Sequence, residues 1–347
     1  MTRTEASAQW LASRLAPWFA EAAREMTWRR TRDPWAIWVS EIMLQQTRVD
    51  TVERYYADFM ARFPDVGTMA AADESDVLAA WSGLGYYRRA RLLHRGARYV
   101  ATELGGEVPS DHDALRAIPG VGPYTAGAIG SIAFDQPIPL VDGNVARVLS
   151  RLFAIDDPKD QAATAKHHWT RVAEILRAGQ PRVLAQALME LGATVCTPRN
   201  PTCEACPVRA RCRARAEGST DRIPAVKVRK ASPVDRWIAV SVTWRGKRLF
   251  VRRPGTGLLA GLWCLPLLPA GDDAAAIVRA AFGDDVHLDG EVVGRVRHVF
   301  THRVWELDVV AARSRRKVSA GGDVEAWSED VPEGGIPKLT RKLLGVL

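Results

Sequence analysis

A chain of 347 residues suits two ordinary domains, because single cores seldom grow past roughly 250 residues. Its formal net charge of +8, most of it arginine, favours a polyanionic partner, since clustered Arg and Lys release counterions from phosphates. Five cysteines are too few for a disulfide scaffold; with neither an apolar run near the ~20 residues that span a bilayer nor a cleavable leader, a cytoplasmic protein that meets no membrane is expected.

Up to about Cys212 the chain reads as helices separated by Gly and Pro. Leu11, Leu15, Trp18, Phe19 and Ala22 recur at helical spacing as a core-facing stripe. Helices are then predicted over 40–60, 88–102, 113–118, 125–133, 145–155 and 181–195, the last opening on a proline suited to a first turn. In the first of these Glu41, Gln45 and Arg48 share one face by spacing, for which a solvated surface is the ordinary reading.

Between the third and fourth helices lies Pro119-Gly120-Val121-Gly122-Pro123. Glycines there leave backbone N–H groups uncovered at a helix start, where the dipole favours an anion such as phosphate. This is the helix-hairpin-helix pattern, although a ligand-free αα turn would look the same. Further on, Asp142 ends the apolar run Leu140-Val141 just before a helix. Its ordinary role is an N-cap, and capping N–H donors lower a carboxyl pKa and keep it ionised.

Cys196, Cys203, Cys206 and Cys212 follow the spacing Cys-x6-Cys-x2-Cys-x5-Cys. Four thiolates so close can enclose a zinc ion or a 4Fe-4S cluster. Structural zinc usually takes two short-spaced pairs and only Cys203 and Cys206 form one, which favours the cluster and leaves zinc open. Arg199, Arg209 and Arg211 in the loop could reach a phosphate backbone, and Cys264 reads as a buried thiol.

From Arg213 to Pro233 the chain turns polar and basic without apolar periodicity, as linkers do. The expected division is a helical domain over 1–215, a linker over 216–233 and a second domain over 234–347. In the last, residues 237–244 alternate like a strand, Arg245-Gly246 offers a hairpin turn, 249–252 returns, and Trp305, Leu307 and Val309 alternate again. With a helix over 274–282, this is an α+β module. There are no internal repeats.

Five strings therefore stand in one order: Ser40-Glu41-Ile42-Met43-Leu44-Gln45-Gln46-Thr47, Gly83-Leu84-Gly85-Tyr86-Tyr87, the Pro-Gly-Val-Gly hairpin, Val141-Asp142-Gly143-Asn144-Val145 and the four-cysteine loop. Together they resemble the MutY-type adenine DNA glycosylases of the helix-hairpin-helix superfamily that includes endonuclease III. The resemblance implies an all-α, two-lobed glycosylase domain with a 4Fe-4S cluster held by the four cysteines, then a Nudix-like domain. It also implies a monomer acting at the nucleoid on double-stranded DNA that pairs adenine with 8-oxoguanine or guanine, the target nucleotide being flipped into a pocket.

Carried onto this chain, Glu41 becomes the general acid for the leaving adenine and Asp142 the group that stabilises or attacks the oxocarbenium-like sugar, a division of labour familiar from glycoside hydrolysis. Asn144 would orient Asp142, and Tyr124 would support the sugar. Endonuclease III relatives have at the Tyr124 position a lysine that forms a Schiff base. A tyrosine there implies base release without strand scission. Gly120 and Gly122 of the hairpin would contact DNA, Gln46, Thr47, Leu84 and Tyr86 match positions wedged into the duplex, and Arg29 and Glu190 match the adenine pocket. Gly257-Leu258-Leu259-Ala260-Gly261-Leu262-Trp263 carries the Nudix likeness, but the 274–282 helix lacks the glutamates that hold Mg²⁺. Thr301 and His302 stand where bacterial relatives have Ser-His in a loop that reads oxidised guanine. The competing readings are a bifunctional pyrimidine glycosylase and lyase, a non-enzymatic DNA-binding protein, and a nucleotide hydrolase.

Overall fold

A computed structural model of the chain describes residues 6–158, 161–225, 231–322 and 324–347. In order these form α1 (Ala8–Ala22), α2 (Pro34–Leu44), α3 (Val49–Arg62), α4 (Val66–Ala71), α5 (Glu74–Ala80), α6 (Arg88–Glu103), α7 (His112–Ala117), α8 (Pro123–Ala128), α9 (Gly143–Phe153), α10 (Ala162–Arg177), α11 (Pro181–Thr194) and α12 (Arg213–Ala216). There follow β1 (Val234–Trp244), β2 (Lys247–Arg252), β3 (Trp263–Cys264), β4 (Leu267–Pro269), α13 (Ala274–Phe282), β5 (Val286–Leu288), β6 (Gly294–Val299), β7 (Val304–Ser314), β8 (Glu325–Ser328) and α14 (Lys338–Leu344). Two compact units result, residues 1–71 with 92–228 and residues 72–91 with 229–347. Among the described residues no helix is long and apolar enough to cross a membrane.

The first unit is helical. The single helix expected over 40–60 is broken: α2 ends at Leu44, Gln46 takes φ 56°, and α3 begins at Val49. The cause is a change of environment. Residues Trp35 to Met43 are buried on every side, whereas α3 buries one stripe, Val52, Tyr56 and Phe59; one straight helix would carry the polar faces of α3 into the core. Gln45 and Arg48 therefore do not share a helical face with Glu41.

Capping fixes the elements that follow. Asp111 caps α7 through Asp113 N and Ala114 N at 3.0 and 2.9 Å. Gly120 then turns the chain at φ +87°, and Pro123 opens α8, which runs on into a π turn over Ile129–Ala133. Asp142 caps α9. That helix meets α11 closely at Gly192, where a Cβ would stand 2.7 Å from Asn144 Cβ and 2.9 Å from its carbonyl oxygen. Helices α4, α5, α10, α12 and α14 are absent from the sequence-based reading; in α10, for one, the buried side chains include the polar Thr164 and His168 beside Val172, Ile175 and Leu176.

Residues 216–225, expected to start the linker, belong to the first unit: Ser219 and Ile223 are buried, and Ile223 O accepts from Arg151 Nε at 2.9 Å. Residues 226–230 of the expected linker lie outside the described ones.

The second unit is an α+β body around a mixed eight-stranded sheet of order β3-β2-β1-β7-β5, with β4 on β1, β6 on β7 and β8 on β2. The central β1–β7 pair is parallel, from Val234↔Val304 to Thr243↔Arg313, and Arg245 (φ 47°) with Gly246 (φ 78°) makes the expected β1–β2 turn. Strand alternation splits the core in two. Leu307 and Val309 pack with Leu339 and Leu343 of α14, while Val310 and Ala312 pack with Val278 and Phe282 of α13. The segment 72–91, read from sequence as part of the helical domain, folds with this unit.

Candidate active site

A cavity of about 630 Å³ in the first unit is lined by residues from α2, α8, α9 and α11 and from the turns beside them. It brings together Glu41, Tyr124, Asp142 and Asn144 with Arg29, Glu190, Gln46 and Thr47. Sequence reasoning named all eight from separate stretches of chain.

Glu41 projects from the middle of α2 and is 4% exposed. Its Oε2 accepts the Tyr124 hydroxyl at 2.7 Å. Burial raises the Glu41 carboxyl to about 7, the Tyr124 hydrogen bond opposing and the nearby Asp142 charge reinforcing it. Burial also drives the Tyr124 phenol well above its ordinary value, with the two carboxylates adding to the shift. The phenol is thus a fixed donor.

Asp142 uses both oxygens. Oδ1 accepts from the Asn144 and Val145 backbone N–H groups at 2.9 and 2.7 Å, and Oδ2 from Asn144 Nδ2 at 3.1 Å. The sequence-based expectation was a carboxyl held low by these donors. They act in that direction, but burial outweighs them and the net shift is upward. Asn144 is held in turn: its Oδ1 accepts from Arg147 Nη2 at 2.9 Å, and the same guanidinium reaches Gly192 O at 2.7 Å and Cys196 O at 2.8 Å.

At the other wall Glu190, 1% exposed, is gripped by two arginines. Arg24 donates Nε to Oε1 at 2.7 Å and Nη2 to Oε2 at 3.0 Å, and Arg29 Nη2 donates to Oε2 at 2.7 Å. Burial alone would raise this carboxyl, but the guanidinium bonds prevail and hold it at about 2. Sequence reasoning missed Arg24, Arg147 and the lining Gln186. A charged residue in the irregular stretch before Trp28 was the available signal for Arg24.

The four cysteines carry no disulfide and line one small cavity with Arg151. Arg151, 2% exposed, ties the loop together, donating to Thr197 O at 2.6 Å and Pro198 O at 3.1 Å and approaching Cys196 Sγ at 3.5 Å. Burial, reinforced by the neighbouring thiols, pushes Cys206 up to about 12 and Cys212 upward. Among the described residues no group of three or more His, Cys, Asp or Glu side chains stands in metal-ligating geometry. Two loop arginines expected to face phosphate have partners in the protein: Arg209 bonds Glu204 O, and Arg211 lies 4.6 Å from the Trp10 ring centroid.

The remaining predicted residues are placed as follows. Gly120 and Gly122 form the hairpin of the first unit, and a Cβ at Gly120 would stand 2.7 Å from Leu92 Cβ. Leu84, Tyr86, Thr301 and His302 belong to the second unit. There Leu84 is buried and Tyr86 is 49% exposed, while Thr301 and His302 occupy the exposed turn between β6 and β7, closed by Phe300 N to Arg303 O at 2.8 Å.

Comparison with known proteins adds to this geometry. Residues 39–174 match the model of the HhH-GPD superfamily base excision DNA repair proteins, and residues 238–345 that of the NUDIX domain. An adenine DNA glycosylase of Mycolicibacterium smegmatis is 40% identical over 70% of this chain and 80% of its own length. The adenine DNA glycosylase of Rattus norvegicus is 37% identical over 83% of this chain and 67% of its own, and that of Arabidopsis thaliana is 37% identical over 83% and 54%. The chain thus spans between about half and two thirds of those two longer relatives. Among solved structures, a thermostable thymine-DNA glycosylase matches with TM-score 0.56 and 28% identity, over 60% of this chain and 97% of its own. An endonuclease III–DNA covalent intermediate matches with TM-score 0.52 and 23% identity over 60% and 96%, a likeness of fold.

Proposed function

The chain belongs to the adenine DNA glycosylases, and from that premise we propose that it hydrolyses the N-glycosidic bond of adenine mispaired with 8-oxoguanine or guanine, in base excision repair, without cutting the strand. One observation carries the reading: a buried carboxyl poised near neutrality, Glu41, and a capped carboxylate, Asp142, line one cavity. With Tyr124 hydrogen-bonded to Oε2, the carboxyl of Glu41 is held in place, and its acid proton passes to the leaving adenine as the sugar carbon–nitrogen bond breaks. Asp142 faces the cationic sugar, held by Asn144 and two backbone donors; water then adds to the sugar carbon and yields its proton to the Glu41 carboxylate, leaving free adenine and an abasic site. The Glu190 carboxylate, fixed between Arg24 and Arg29, offers acceptor oxygens to the flipped base, and the two guanidinium groups beside it offer donors. Tyr124 has no amine for a Schiff base, which supports a monofunctional enzyme.

Four reduced thiols around one cavity suit a 4Fe-4S cluster as donor set, and Cys196, Cys203, Cys206 and Cys212 would hold it. When bound, the cluster cross-links the loop and supplies no proton or nucleophile at the sugar. Double-stranded DNA as partner is supported by the basic balance, with Gly120, Gly122, Gln46, Thr47, Leu84 and Tyr86 in contact and Thr301 and His302 reading the base opposite adenine. A monomer in the cytoplasm, at the nucleoid, completes the proposal.

The test is one duplex carrying adenine opposite 8-oxoguanine, followed with and without alkali. Adenine release with alkali-dependent breakage is the expected result; direct scission points to a lyase, and binding without release to a non-enzymatic protein.

A further inference from the structure

Residues 72–91 interrupt the first unit in sequence and fold with the second. Within them Val77, Leu78, Trp81 and Leu84 are buried, and the segment is fastened on both sides of a tip at which Tyr86 is exposed. Before the tip, Ser82 Oγ accepts from Arg341 Nη2 at 3.2 Å and donates to Ile336 O at 3.4 Å. After it, the Tyr87 hydroxyl donates to the same Ile336 O at 2.7 Å. Arg91 adds a third fastening: Nη2 donates to Ala260 O at 2.6 Å while Nε pairs with Glu74 at 2.9 Å.

The receiving surface is shaped for this contact. Gly261 has φ +62°, and a Cβ there would collide with Arg91 Nη2. Gly335 lies flat on α5, where a Cβ would stand 3.3 Å from Leu78 Cβ and 2.6 Å from Leu262 Cδ2. Each close approach exists only because a side chain is missing.

Between the fastenings the backbone turns left-handed, freely at two glycines and with strain at Tyr86. Gly83, Gly85 and Tyr86 all adopt positive φ, of 110°, 70° and 48°. A tyrosine in that region persists only where its surroundings over-determine it. Arg89 supplies part of the support, donating Nη2 to Leu84 O and Gly85 O at 3.2 Å each and standing 5.5 Å from the Tyr86 ring centroid. The ring itself is half exposed. An exposed aromatic on a rigidly held tip is ready to stack on a base or enter a duplex step.

We infer that the Nudix-like unit clamps the Leu84–Tyr86 tip through Tyr87 and Arg91, which act as positioning residues that set the geometry with which Tyr86 engages DNA. The inference rests on the DNA glycosylase reading for what Tyr86 touches, but the clamp itself does not. On this view the C-terminal unit contributes to damaged-duplex binding twice, through its own β6–β7 turn and through a loop whose sequence lies in the helical half.

The test uses the full chain and a duplex bearing a non-cleavable adenine analogue opposite 8-oxoguanine. Tyr87→Phe removes one oxygen and keeps the ring packed; Arg91→Met removes the donors and keeps most of the stem. Both should raise amide hydrogen exchange at 83–86 by about tenfold or more, as loss of a hydrogen-bonded tie allows. Duplex affinity should weaken about tenfold, with the unfolding temperature unchanged. Tyr86→Ala should cause a similar loss, and combining it with Tyr87→Phe should add little, since both act through one ring. Arg91→Lys, which keeps a donor for Ala260 O, should recover part of the affinity. Unchanged exchange at 83–86 in the Tyr87→Phe protein, or fully additive losses with Tyr86→Ala, overturns the clamp. If exchange and affinity respond as expected but the parent releases no adenine, the catalytic reading fails and the clamp stands.

Discussion

A carboxylic acid that titrates near 7 is a usable proton donor at neutral pH, and Glu41 is one because α2 buries it among apolar neighbours. If the protonated form does the work, kcat/KM should fall about tenfold per pH unit above roughly 7; a flat profile to pH 9 would remove Glu41 as the acid. Stability carries the same information with its own sign. A folded-state value raised from the ordinary 4.5 to about 7 means that the stability tied to the protonated form is complete at low pH and is lost as pH rises through 7. Glu41→Gln should therefore abolish base release yet stabilise the fold at pH 8 by up to about 3 kcal/mol, with little gain at pH 4. Equal melting shifts at the two pH values would show a carboxyl that titrates normally. At Tyr124, substitution by Lys should place an amine beside the sugar and give a borohydride-trappable adduct that the parent lacks; equal trapping by the parent would contradict the monofunctional chemistry. Neither role is written in the residue alone. Glu41 became legible through the motif around it, whereas Arg24 and Arg147 matter by what they touch 166 and 49 residues away, which periodicity does not encode.

At the scale of elements, local chemistry was the better guide wherever it was self-contained. The Arg245-Gly246 turn, the proline opening α11 and the Asp142 cap follow from one or two residues each. The break after Leu44 does not, because Gln45-Gln46-Thr47 contains no glycine or proline, although Gln46 takes φ 56° just beyond the buried stretch Trp35 to Met43. The hairpin offers a direct test of local strain. Gly120→Ala would need φ +87° and a 2.7 Å contact with Leu92 Cβ, so it should cost about 1–3 kcal/mol in urea unfolding and weaken duplex binding; a neutral substitution would show the turn to be adaptable. The cysteine loop has a simpler signature. Purified protein should be yellow-brown, absorbing near ~400 nm through thiolate–iron charge transfer, and colourless protein with one equivalent of zinc would replace the cluster by that ion.

For the whole molecule, the division of the chain was legible in outline from the shift to strand alternation after Pro233, but the membership of 72–91 was not. Only the packing of α5 and its loop against residues beyond 229 reveals it. This sharpens what truncation should do. A chain ending after Ala225, beyond the buried Ser219 and Ile223, should keep the cavity and the cysteine loop and still remove adenine opposite guanine. It should lose most of its preference for 8-oxoguanine, a discrimination of ~1–3 kcal/mol for a well-placed polar contact, and should show fast amide exchange across 72–91. An unchanged preference would mean that the helical unit reads the opposite base alone.

The discontinuity of the second unit also bears on how the protein is made. Residues 72–91 leave the ribosome with 137 residues, 92–228, still to come before their partners begin. At ~5–20 residues per second that is a wait on the order of ten seconds. During it the helical unit can close around its core while Val77, Leu78 and Trp81, buried at the end, face solvent or a chaperone. Synthesis of this enzyme thus includes a stage with an apolar segment awaiting its cover, and slowing translation across 229–347 should lengthen that stage and lower the soluble yield.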